Sequence, residues 1–177
     1  TGLLWFGWFG FNAGSALGAN ADAVIAFANT NIASATAMIT WVFYERMLGR
    51  KMSALGACIG AVVGLVAITP AAGFVNIGQS MFIGFIASII SNWAINFKNK
   101  TGIDDTLDVF PSHGVGGIVG MLLTAVFASE VGLIYGETTT WYNHLIALVI
   151  TSVYCFGGSY LLYFIVDKLL SMRVRED

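Results

Sequence analysis

Residues 108–127 read Asp108-Val-Phe-Pro-Ser-His113-Gly-Val-Gly-Gly-Ile-Val-Gly-Met-Leu-Leu-Thr-Ala-Val-Phe127, glycine and aliphatic residues around a single imidazole. A continuous apolar run of this length is what a membrane-crossing helix requires, about 20 residues for the hydrocarbon core. Inside such a helix an ionisable side chain is costly, and it marks a substrate or proton pathway unless packing explains it. The competing reading of His113 is a packing histidine bonded to a backbone carbonyl.

The rest of the chain extends this pattern. Of 177 residues, 57% are apolar and 10% charged, with a mean hydropathy of +0.79. Soluble domains carry roughly 25% charged residues. The 21 glycines are spread through the apolar segments, as in membrane helices. Six apolar segments stand out, approximately 1–18, 23–44, 53–70, 78–97, 109–128 and 141–167, separated by charged or Gly/Asn/Asp-bearing connections. Only helices and closed barrels satisfy their backbone in lipid, and the alternation of barrel strands is absent, so an all-α, polytopic bundle of six transmembrane helices is expected.

Cation placement orients the bundle. Arg46, Arg50 and Lys51 fall between the second and third segments, Lys98 and Lys100 between the fourth and fifth, and Lys168, Arg173 and Arg175 after the sixth. The opposite connections carry Asp22, Glu130 and Glu137. By the positive-inside rule the basic face is cytoplasmic, with both ends of the chain on that side of a plasma or inner membrane. This puts the sequon Asn99-Lys100-Thr101 on the wrong side for glycosylation. Thr1 opens within an apolar helix with no initiating methionine or signal peptide, which predicts a piece of a longer chain.

Several functions lose support at once. A formal charge of −2 gives no footing for nucleic acid. No zinc spacing, Cys-x-x-Cys, Walker loop or His-Glu-x-x-His is present, so neither an enzyme nor a cofactor is expected. Cys58 and Cys155 read as small buried hydrophobes. His144, in Trp141-Tyr142-Asn143-His144, reads as an interfacial anchor. Asp108 reads as a cap for the fifth helix, and Glu45 as a solvated partner of Arg46.

At about 100° per residue, Leu4, Trp8, Phe11 and Ser15 share one stripe of the first helix. Gly7, Gly10, Gly14 and Gly18 form an adjacent strip that would admit a neighbouring backbone, as would Gly56, Gly60 and Gly64 on the third helix. The aromatic stripe has two readings. It is either packing with an interfacial belt, or a small-cation site, since a desolvated aromatic face attracts a cation by roughly 2 kcal/mol and a serine oxygen can replace one water.

Three stretches together resemble the ammonium transporter family: Trp8-Phe-Gly-Phe-Asn-Ala-Gly-Ser15; Leu55-Gly-Ala-Cys58 leading to Gly64-Leu-Val-Ala-Ile-Thr-Pro-Ala71; and Asp105-Thr-Leu-Asp-Val-Phe110 leading into His113-Gly-Val-Gly-Gly-Ile-Val-Gly120. The resemblance covers the whole chain and implies the sixth to eleventh helices of an eleven-helix fold, that is, the second inverted repeat plus the last helix. It implies that His113 is one of two paired pore histidines, Phe11 one of two gating phenylalanines, and Ser15 part of the outer ammonium site. Trp8 and Leu4 then line the pore below the gate. It further implies a homotrimer of pore-bearing protomers, and a cytoplasmic tail beginning at Arg173-Val174 through which a PII-type regulator would act. Pro111-Ser112 departs from the family pattern, and a proline at a helix start is not expected to disturb the pore.

Carrying an intact cation through hydrocarbon is prohibitive, whereas neutral ammonia can cross a narrow apolar pore. Capture at the aromatics and Ser15, loss of a proton, and passage of ammonia past Phe11 and His113 is therefore the expected route. A membrane sensor that binds ammonium without conducting it, and a purely structural bundle, are the alternatives.

Overall fold

In the computed structural model, which describes residues 1–170, the chain is all-helical: α1 (Gly2–Gly14), α2 (Ala21–Met47), α3 (Ala54–Ile68), α4 (Ile77–Lys98), α5 (Gly116–Phe127, entered through a π-helical turn Phe110–Val115) and α6 (Thr139–Leu169). There is no strand among the described residues. Arg173, Val174 and Arg175, and with them the expected regulatory tail, lie outside the described residues.

The boundaries follow local chemistry. Asn20 opens α2 by accepting a hydrogen bond from the Ala23 amide, and Ser53 opens α3 from the Gly56 amide. At α4, Asn76 and Gln79 form a reciprocal capping box, each bond 2.9 Å long. Helix α3 stops at Ile68 because Pro70 supplies no amide to continue it. Helix α1 stops at Gly14, with Leu17 just beyond in the left-handed region at φ +53°.

Four of the helical segments are long and apolar enough to cross a membrane: Ala21–Met47, Ile77–Lys98, Phe110–Phe127 and Thr139–Leu169. The chain is a multi-pass membrane protein. All six expected segments are helical, and the 15 residues of α3 give a helix of about 22 Å at 1.5 Å per residue. Residues 15–16 and 69–70 are turn and 17–18 a bend, so the first and third helices end short of the expected boundaries.

The core is built by close backbone approach, not by large side chains. A Cβ on Gly60 would strike the Trp41 Cβ and the Ala37 carbonyl; one on Gly64 would strike Ala33 and Ser34. Gly84 abuts Ala33, and Gly120 abuts Ala67. At these distances buried hydroxyls bridge between helices: Ser34 donates to the Ala61 carbonyl and Ser88 to the Ala37 carbonyl, both at 2.9 Å. Where lipid removes the hydrophobic drive between helices, such small-residue packing and interhelical bonds are what hold them. The glycines of α1 behave differently. Gly7, Gly10 and Gly14 have nothing within 4 Å, so the expected close approach there is not made. Instead α1 docks through Phe9, stacked on Phe27 at 4.1 Å, and through buried Asn12, which donates to Thr30.

These contacts also set direction. Pairings 60–41 and 64–33 make α2 and α3 antiparallel, whereas 84–33 with 88–37 makes α4 run with α2, and 116–63 with 120–67 makes α5 run with α3. The described cations therefore gather at one end of the bundle: Arg46, Arg50, Lys51, Lys98, Lys100 and Lys168. Asp22, Glu130 and Glu137 lie at the other. Two expectations fail in detail. Cys58 and Cys155 are exposed rather than buried, because α6 packs chiefly on α5 and Cys58 lies on an open side of α3. Glu45 does not partner Arg46. It accepts from the Trp41 indole and the Ser53 amide, tying α2 to the start of α3.

Candidate functional site

At the acidic end, the α1 stripe forms the wall of a cavity of about 440 Å³ lined by Phe11, Asn12, Ser15, Asp22, Thr69 and Phe74, among others. A larger hollow of about 700 Å³ along Val24, Ile25, Phe74 and Ile77 contains no titratable group, so the smaller cavity is the chemically equipped one. Trp8 and Phe11 meet with ring centroids 5.8 Å apart at 55°. The Trp8 indole is fixed from outside the stripe: its Nε1 donates to Thr69 Oγ1 at 2.8 Å, and Thr69 in turn donates to the Leu65 carbonyl. Thr69 was not picked out from sequence, yet it is the side chain that sets the indole plane.

Ser15 caps α1 and its hydroxyl donates to the Phe11 carbonyl at 2.7 Å. With its one hydrogen committed, its remaining capacity is as an acceptor, which suits an N–H-bearing cation. Leu4 and Phe11 are open, 48% and 62% exposed.

His113 lies on the π-helical turn that leads into α5, an irregularity often found at functional sites. The turn is secured from its loop. Asp105, through Oδ1 and Oδ2, accepts the amides of Val109 and Phe110 at 2.8 and 2.9 Å. The cap expected of Asp108 is therefore made by Asp105, three residues earlier. Asp108, left-handed at φ +52°, pairs instead with Lys98 at 2.6 Å, and Lys98 also donates to the Asp105 carbonyl. His113 is exposed, and its Nδ1 is 3.0 Å from Ser112 Oγ. Ser112 thus touches the imidazole. His144, expected as an interfacial anchor, is half-buried with Nδ1 2.9 Å from the Met121 carbonyl, joining α6 to α5.

The chain brings Trp8, Phe11 and Ser15 together but does not join His113 to them. No hydrogen bond or ring contact links the two groups among the described residues, since α1 packs on α2 and α3 while α5 packs on α3 and α4. The helix register nevertheless orders them by depth. Trp8 is level with Thr69, Gly120 with Ala67 and Gly116 with Val63. His113 therefore lies below Trp8, towards the basic end.

The sequence profile of the Ammonium Transporter Family matches residues 1–177. The chain belongs to the ammonium transporter family. It is 45% identical over 186 residues to a putative ammonium transporter of Methanothermobacter thermautotrophicus, an alignment covering 100% of this chain and 46% of the relative. Its fold matches the crystal structure of Mep2 from Candida albicans with a TM-score of 0.90 and 34% identity, covering 98% of this chain and 41% of that one. It also matches a solved structure titled "Sensor Amt Protein" with a TM-score of 0.88 and 31% identity, covering 97% and 44%. The chain spans less than half the length of these relatives, one of which is named a putative ammonium transporter and another a sensor.

Proposed function

We propose that this chain forms the second-repeat half of an ammonium/ammonia pathway that runs along the α1 stripe and past His113. The observation that carries the reading is the cavity holding Phe11, Ser15 and Asp22: an aromatic face, an acceptor hydroxyl and a carboxylate lining one hollow. The cation is recruited there by charge and by the aromatic face. Having given a proton to water at the outer end, it passes the open edge of Phe11 as ammonia, then Trp8 and Leu4, to an imidazole that exchanges hydrogen bonds without needing charge. The exposed sides of Leu4, Phe11 and His113 are where the rest of a longer chain closes the route and supplies the partner histidine and second gate ring. With that half present, we propose a homotrimer in a plasma or inner membrane, its basic end cytoplasmic, with a PII-type regulator acting from that side.

The likeness to the protein titled as a sensor favours one second reading, in which the same site binds ammonium without conducting it. Reconstituting the full-length protein into vesicles and measuring uptake of labelled methylammonium separates the two. Saturable uptake above empty vesicles supports transport; binding with no uptake supports the sensor.

A further inference from the structure

The outer cavity has a second aromatic ring. Phe11 reaches it from α1, and Phe74 from the turn between α3 and α4. Phe74 also edges the apolar hollow of about 700 Å³, so its ring stands at the boundary between the two. It is 62% exposed and, among the described residues, stacks on no other ring. An aromatic belt at a membrane surface uses Trp and Tyr, whose polar edges meet the headgroups. Phe74 has no such edge, and what it offers is a π face.

The backbone beneath this free ring is held from two sides. The Phe74 amide donates to the Ala71 carbonyl within the turn, and the Phe74 carbonyl accepts from the Ser129 amide, both at 2.8 Å. From α2, Asn29 Nδ2 donates to the flanking carbonyls of Ala72 and Val75 at 2.8 and 2.7 Å. Asn29 is fully buried, and with both hydrogens committed its Oδ1 has no partner among the described residues. An unpaired buried acceptor is costly. That cost accompanies a clamp on the turn that carries Phe74.

We propose that Phe74 is a second aromatic face of the outer cation site and a specificity-determining residue for the charged form of the substrate. This rests on the reading of the cavity as a cation site given above. A cation there meets one carboxylate, Asp22, and the acceptor hydroxyl of Ser15. The rest of its charge is met by ring faces, whose negative quadrupole attracts a cation far more than neutral ammonia. Rings from α1 and from the α3–α4 turn therefore favour the ion at the mouth and release the deprotonated species. The attraction is confined to about 6 Å from the ring centroid. The Asn29 and Ser129 bonds answer that requirement by holding residue 74 at the cavity rim. Phe74 selects charge, and the oxygen acceptors select N–H.

The test uses the full-length protein, in lipid nanodiscs for equilibrium binding of labelled methylammonium and in vesicles for uptake. Phenylalanine carrying one, two or three ring fluorines is placed at position 74, which drains negative charge from the ring face and barely changes its size. The dissociation constant is expected to rise stepwise, by about threefold for the trifluorinated ring. Phe74→Leu is expected to bind at least as weakly, and Phe74→Tyr, which keeps a π face, to bind as wild type does. A dissociation constant that stays flat across the fluorinated series overturns the proposal and leaves Phe74 a surface ring. A wild-type protein that binds no methylammonium overturns it too. The stepwise trend in nanodiscs together with no uptake in vesicles upholds the proposal and overturns the transport reading alone.

Discussion

Gly64→Ala is the sharpest probe of how this bundle is held. A methyl group there would lie 2.6 Å from the Ala33 carbonyl oxygen and the Ser34 Cα, and 2.8 Å from the Ala37 Cβ. Two of these atoms are backbone, so no side chain can swing aside. Reaching ordinary van der Waals contact requires α2 and α3 to separate by about 0.8 Å. The Ser34 to Ala61 bond, now 2.9 Å, would stretch beyond the range of a hydrogen bond. Overpacking costs roughly 1–3 kcal/mol and the lost bond about 1 kcal/mol, against nearly 1 kcal/mol gained from alanine's helix propensity. The net is a destabilisation of about 2 kcal/mol. In detergent-solubilised full-length protein, more than twice the length of this chain, melting followed by tryptophan fluorescence is expected to fall by roughly 2–3 °C. Gly117→Ala is the control, since its added carbon meets only the Val66 Cγ1 at 3.8 Å. If Gly64→Ala melts with Gly117→Ala, backbone proximity is not what holds α2 against α3.

Two further substitutions address the site. Asp105→Ala removes both amide contacts that secure the π-helical turn and is expected to cost about 1–2 kcal/mol; thermal melting measures it, and Asp104→Ala, whose Oδ1 accepts only from the exposed Thr106 hydroxyl, is expected to be near neutral. Asp22→Asn is expected to raise the methylammonium concentration at half-maximal uptake by about two- to threefold without changing the maximal rate, because its carboxylate only concentrates the cation. That difference should shrink as ionic strength rises, and a salt-independent change would point to packing instead.

Much of this architecture is legible in the residues. Segment hydropathy located all six helices, and the glycines at 56, 60 and 64 marked the α2–α3 seam because small residues have one dominant use in lipid. The face of Gly7, Gly10 and Gly14 is open here, since spacing reveals a permissive surface but not whether anything occupies it. Trp8, Phe11 and Ser15 were readable as a stripe by angle alone. Thr69, Ser112 and Asp105 were not, because each acts through a tertiary contact or through a π-helical turn that departs from 3.6-residue spacing. Pro70 was a visible stop signal that hydropathy averaged away, and so α3 was expected to run two residues too far.

The pathway claim depends most on His113. Uptake of labelled methylammonium by the full-length protein in vesicles, compared between wild type and His113→Ala of equal melting temperature, tests it directly. Loss of saturable uptake in the variant is the predicted result. Wild-type uptake without the imidazole would contradict the account, leaving His113 as a helix-packing residue and the route elsewhere in the bundle.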